Sequence, residues 1–165
     1  MKILTGILSL GVVLGLASAV VAEPVLFALP LDGAQEAPGP GDPDGMGGAL
    51  LSIDPEASTI AWNINVENIY LPITGAHIHE APAGVPGPIV VDFAGQLNGM
   101  GLFDADLPAI AANPSNYYVN VHNKKFPDGA IRGQIPEPAT IGLLGLGLAG
   151  LLSRRKSARR RAASE

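Results

Sequence analysis

The chain has 165 residues, no cysteine and a formal charge of −5, which excludes a disulfide framework, a thiolate nucleophile or ligand, and lipidation through sulfur. The charge is unevenly placed: between Glu23 and Pro138, three basic residues (Lys124, Lys125 and Arg132) face fourteen acidic ones, leaving that segment at −11. Such a surface repels nucleic acid and anionic headgroups and attracts cations, so no nucleic-acid partner is expected.

At the N-terminus, Met1-Lys2 precedes the apolar run "ILTGILSLGVVLGLA" and the small residues of "SAVVA". This pattern predicts a secretory signal peptide over residues 1–22, cut by signal peptidase after Ala22, because the run falls short of the ~20 residues needed to span a bilayer. The rest, up to the tail, is about 115 residues, the length of one domain.

From Glu23 onward helical periodicity is absent and alternation is plain. In "STIAWNINVEN" the apolar set Ile60, Trp62, Ile64 and Val66 alternates with polar or small residues, which predicts a half-buried strand. Similar runs near 25–33, 48–54, 73–80, 88–94, 98–105, 116–123 and 129–135 are separated by Gly, Pro, Asn and Asp clusters, with a short helix or irregular crossover allowed at Leu107–Asn116. About eight strands at this spacing predict an all-β fold, an antiparallel Greek-key β-sandwich over residues 23–135. The loop "GDPDG" carries Asp42 and Asp44 but lacks the further oxygen ligands and closing Glu of an EF-hand, so a solvated turn is the expected reading over a calcium site.

The only three histidines fall in two of these strands. In "ITGAHIHEAPAGVPGPIVV" His77 and His79 share one face while Ala76 and Ile78 take the other, and in "NYYVNVHN" Tyr117, Val119 and Val121 turn inward, leaving Tyr118, Asn120 and His122 outward. Two imidazoles about 7 Å apart along a strand, with a third from a neighbour, can converge on one ion. Three nitrogen ligands with an open fourth position suit copper or zinc. Glu80, Asp92 and Asp104 are candidates for a fourth ligand or for supporting the imidazoles. The competing reading is a set of polar strand residues that hydrogen-bond across the sheet and bind nothing. Arg132, the sole arginine of the segment, is expected on the outer face, paired with a carboxylate. No G-x-S-x-G or H-E-x-x-H is present, which weakens any hydrolase reading and leaves no catalytic residue to name.

The last thirty residues read Pro136-Glu137-Pro138, an apolar stretch from Ala139 to Leu152, then Arg154, Arg155, Lys156, Arg159, Arg160 and Arg161. This order resembles the PEP-CTERM sorting tail of exported bacterial proteins. The resemblance implies a short transmembrane helix within 136–165 that holds the precursor transiently in the inner membrane, basic end in the cytoplasm, until an exosortase cuts at the tripeptide. The charge placement agrees with the positive-inside rule. Gly145, Gly147 and Gly150 match G-x-G-x-x-G inside the tail, but with no strand before them they fit a packed membrane helix, not a dinucleotide site.

The middle segment in turn resembles the CHRD domain, through "LDGAQEAPGP", "GGALLSIDPEASTIAWNINVENI", "TGAHIHEAPAGVPGPIVVDF" and "YYVNVHNKKFPDGAIRGQI". Glu80 stands where that family more often has glycine. The resemblance implies a secreted β-domain and little about chemistry; at the cell surface or outside the cell, an exopolysaccharide or a surface protein is the candidate partner. His-x-His on a sandwich strand is also similar to the copper site of Cu/Zn superoxide dismutase, although the chain lacks that enzyme's further histidines and its cysteines. Three functions follow: a surface or matrix binding domain holding copper or zinc, a metal-free structural or adhesion domain, and a copper-dependent redox enzyme.

Overall fold

The computed structural model describes residues 23–138. The signal peptide expected over 1–22, the apolar stretch 139–152 with the membrane helix expected there, and the basic cluster from Arg154 to Arg161 lie outside the described residues. Among the described residues no helix is long and apolar enough to cross a membrane.

Eight strands appear in chain order: β1 (Val25–Asp32), β2 (Met46–Asp54), β3 (Thr59–Glu67), β4 (Ile73–Glu80), β5 (Ile89–Asp92), β6 (Asn98–Phe103), β7 (Tyr117–Asn123) and β8 (Ile131–Gln134). One short helix, α1 (Leu107–Ala112), buries Leu107 and Ile110 and sits in the predicted crossover. The strands form a single antiparallel sheet in the order β5-β4-β7-β8-β1-β2-β3-β6. The all-β, eight-stranded antiparallel reading therefore stands, but the hydrogen bonding joins the strands into one sheet, because a single residue pair, Asp32↔Arg132, links β1 to β8. Gly133 permits that junction: a Cβ there would lie 2.2 Å from the Pro30 carbonyl oxygen.

The sheet curls so that inward residues from both sides of this junction share one core. Phe27, Leu29, Leu51, Ile53, Ile60 and Ile64 come from one half, and Ala76, Ile78, Val91, Val119 and Val121 from the other. Alternation sets this pattern: in β1 the buried residues Phe27, Leu29 and Leu31 are interleaved with the exposed Leu26, Ala28 and Pro30. Burying one such aliphatic or aromatic side chain stabilises by about 1.5–3 kcal/mol, so the shared core supplies the main driving force.

The outer face of β4, β7 and β8 departs from the sequence-based expectation. Every residue of β7 is buried, including Tyr118, Asn120 and His122. Connections 33–45, 81–88 and 124–130 fold back over this face and bond to its side chains. The parity assigned to the histidines holds, since Ala76 and Ile78 are in the core, but outward on the strand does not here mean exposed.

Candidate metal centre

β4 and β7 pair in register with His77 opposite Asn120, His79 opposite Tyr118 and Gly75 opposite His122. The three imidazoles thus meet on one face, with ring centroids 4.9–5.8 Å apart. One ring nitrogen from each lies within 4.8 Å of the others. Gly75 makes the room: a Cβ there would come 2.6 Å from Cε1 of His77 and 3.5 Å from Cδ2 of His122.

The other ring nitrogens are held by the covering loops. His79 Nδ1 lies 2.9 Å from the Gly87 carbonyl oxygen and His122 Nδ1 3.0 Å from that of Pro127. A carbonyl only accepts, so each Nδ1 carries the proton and each Nε2 keeps its lone pair. His77 turns the other way, with Nε2 3.4 Å from the Asp92 carboxylate. The nitrogens left over are His77 Nδ1, His79 Nε2 and His122 Nε2, all buried and all without a hydrogen-bond partner. Three buried acceptors with no donor are costly unless something electrophilic lies between them. Burial is the first cause that lowers all three histidine pKa values; repulsion from His122 adds to it at His77, while the Gly87 and Pro127 carbonyls oppose it at His79 and His122. Neutral imidazole is the form that coordinates a metal.

Behind the histidines, Tyr118 stacks on His79, with centroids 4.9 Å apart and planes 11° apart, and the Arg132 guanidinium lies 3.4 Å from the centre of the same ring. Arg132 is 1 % exposed and donates to the Val85 and Pro82 carbonyls, each at 2.9 Å, and to Gln134 Oε1 at 3.2 Å. The expected carboxylate pairing is therefore replaced: the loop 81–88 arches over β8 and offers two carbonyls in the plane of a guanidinium fork. That loop also carries Gly87, whose carbonyl orients His79 and whose N–H donates to the Tyr118 hydroxyl at 3.1 Å. Arg132 thus fixes an imidazole it does not touch.

Asn120 lies between His77 and Arg132 in the strand register. Its Nδ2 donates to Glu36 Oε2 at 3.3 Å, and its Oδ1 is buried without a partner. Burial pushes the Glu36 carboxyl up to about 7 against the opposing pull of Arg132 and the Asn120 hydrogen bond.

Of the three carboxylates considered in sequence, only Asp92 reaches a histidine. Glu80 is exposed at the end of β4, and Asp104 lies just beyond β6, at the far edge of the sheet, where its carboxylate accepts from the Asp106 N–H. Gly75, Tyr118, Asn120 and Glu36 escaped the sequence reading as parts of the site. The first three were within reach of it, since they share the histidines' parity on β4 and β7; Glu36 arrives by a loop and leaves no such signal.

Residues 27–135 match the CHRD domain model, well over half of the sequence. The chain belongs to the CHRD family. Residues 134–156 match the PEP-CTERM protein-sorting motif, which implies export and processing by an exosortase. No curated protein and no solved structure gives a match. In this CHRD domain, Pro136 and Glu137 are exposed and follow directly on Ile135, the last buried core residue.

Proposed function

We propose that this exported CHRD domain binds one transition-metal ion, zinc or copper, through His77 Nδ1, His79 Nε2 and His122 Nε2, and presents it at the cell surface or in the surrounding matrix. The observation that carries the reading is three clustered imidazoles, one ring nitrogen of each within 4.8 Å of the others, every ring keeping a buried, unpartnered nitrogen and two of them with their tautomer locked by a backbone carbonyl. Ligating histidines commonly hold their second nitrogen in this way. A tetrahedral zinc with Zn–N distances of about 2.0–2.1 Å sets its nitrogens about 3.3–3.4 Å apart, so binding would draw the three imidazoles together from a separation of up to 4.8 Å. Three nitrogens leave a fourth position for water or a partner's ligand, and Asn120, opposite His77 in the strand register, keeps a buried, unpartnered Oδ1 that is a candidate for it.

Under this reading the signal peptide ends at Ala22, the PEP tripeptide Pro136–Pro138 is the exosortase cut, and the tail spans the inner membrane only in the precursor. Elemental analysis of the protein recovered after native export tests the function: about one zinc or copper per chain is expected. A metal-free protein that also takes up neither ion in vitro would leave the structural or adhesion reading in its place, and turnover with a redox substrate would move it to the enzyme class.

A further inference from the structure

The outer face of β1, β2, β3 and β6 is built unlike the rest of this domain. Three large apolar side chains stand on it, Leu26, Leu50 and Met100, at 73 %, 60 % and 85 % exposure. Around them the strands present small residues: the pairing sets Ala28 beside Leu50 and Ser52 between Leu26 and Ala61, with Gly48 two places along from Leu50. Outward charge on these strands occurs only at their ends, at Asp32, Asp54 and Glu67. Yet the segment 23–138 carries fourteen acidic residues and a net charge of −11. A contiguous apolar patch rimmed by charge marks an interaction surface.

Leu50 rises between two hollows. One, of about 540 Å³, reaches to Leu26, Ala61 and Met100, and the other, of about 430 Å³, to Pro30, Gly48 and Asn65, while Ala28 lines both. A patch that carries both a projection and a recess fits a copy of itself, because in a two-fold pair each Leu50 enters the other's hollow. A polysaccharide needs hydrogen-bonding groups and an exposed aromatic plane, whereas the ring at this face, Trp62, packs against the core and stacks on Phe93 with centroids 4.6 Å apart. An anionic lipid surface is repelled by the net charge. The strands are six to nine residues long. Four of them at about 4.8 Å spacing and ~3.4 Å per residue give a face on the order of 500 Å², so a pair buries on the order of 1,000 Å², enough for a specific, weak interface and far below an obligate one.

We infer that two copies of this domain pair reversibly through the outer face of β1, β2, β3 and β6, with Leu50 of each seated in a hollow of the other. Sheets stacked face to face lie about 10 Å apart, a gap that interdigitated side chains of this size fill. An interface of this area places Kd on the order of 10⁻⁵ M or weaker. Well below that concentration the domain is a monomer, and substitutions on the face change association, not folding. The like charge of the two copies opposes the pair, so screening by salt should tighten it. Because both halves of the sheet share one core, the histidine face lies on the opposite side, and the pair displays two such centres pointing away from each other.

The test is sedimentation velocity on the exported protein over a concentration series spanning that Kd, with a chelator present so that no metal bridges two chains. The expected result is a monomer–dimer equilibrium that stops at two chains and tightens several-fold between about 0.05 and about 0.5 M NaCl. Leu50→Glu should abolish it while unfolding as cooperatively as the parent at low concentration. Leu71→Glu, the same charge change at a leucine 77 % exposed outside this face, should pair as the parent does. Ala28→Leu separates fit from stickiness: it adds apolar area but fills both hollows, so pairing should weaken several-fold. A parent monomeric at every concentration, association that survives Leu50→Glu, tighter association in Ala28→Leu, growth past two chains, or weakening with salt each overturns the pairing. So does a monomer that instead floats with phosphatidylcholine vesicles and loses this in Leu50→Glu, which would make a lipid surface the occupant.

Discussion

The outer faces of the two halves of the sheet obey the same alternation and meet different fates. On β1 and β2 the outward residues Leu26 and Leu50 are 73 % and 60 % exposed, with no cover among the described residues. On β4, β7 and β8 the outward residues are His77, His79, Tyr118, Asn120, His122 and Arg132, and the last four are at most 9 % exposed. The polar face is thus the buried one. The cause lies in the connections: β2 and β3 are joined by four residues, 55–58, too few to fold over anything, whereas 81–88 and 124–130 are long enough to return across the sheet. They return because the face offers donors, from Arg132, Gln134 and two imidazoles, that satisfy the loops' own carbonyls. A polar strand face under a polar loop makes a second, hydrogen-bonded core, and that core holds the histidines.

If so, breaking the cover should cost far more than altering the bare face. Arg132→Ala strands two loop carbonyls and unstacks Tyr118, and should destabilise by about 2–4 kcal/mol in chemical denaturation, with loss of metal affinity because Gly87 no longer orients His79. Arg132→Lys should recover only part, since an ammonium cannot bond both carbonyls as a planar fork does. Gly75→Ala should sharpen the contrast between fold and site. The added methyl displaces His77, so metal affinity should fall about 10–100-fold while the metal-free melting temperature drops much less, read by titration and by thermal denaturation on the same sample.

Glu36 gives a pH test of the same covered face. Its carboxyl is raised to about 7, above its unfolded value of 4.5, so its contribution to stability is complete below 4.5 and is lost as pH rises through 7. Glu36→Gln should therefore stabilise the protein by roughly 2 kcal/mol at pH 8 and by little at pH 4, seen as two denaturation curves. The histidines run opposite: with pKa values depressed below 6.5, they contribute stability above that pH and lose it as pH falls through their folded values. The smallest effect belongs to the bare face, where Leu50→Ser should change stability by no more than about 0.5 kcal/mol. A loss of several kcal/mol there would mean that this face is covered in solution.

Much of this was legible from residues alone. Period-two alternation located all eight strands and gave the parity of Ala76, Ile78, Val119 and Val121, because side-chain direction along a strand is a local property. The meeting of the histidines also followed, from parity and the pairing of two strands. What did not follow was the cover. Whether an outward residue meets water depends on where a loop eight residues away returns, and the chain's local pattern carries no record of that. The same blindness misassigned Arg132 to a carboxylate and Asp42, which is 0 % exposed, to solvent. The cover also gives the histidines a structural part: His79 and His122 each satisfy a loop carbonyl, so their replacement by alanine should cost the metal-free fold about 1–3 kcal/mol apiece, read by denaturation without metal.

Three orphaned nitrogens on β4 and β7 should act as one site. Titrating the metal-free protein with Zn²⁺ while following its melting temperature tests it most directly, in the parent and in His77→Ala, His79→Ala and His122→Ala. The parent should bind one equivalent and melt higher by mass action, and each variant should lose most of that rise when measured against its own metal-free baseline. Three variants that each bind zinc as tightly as the parent would contradict it.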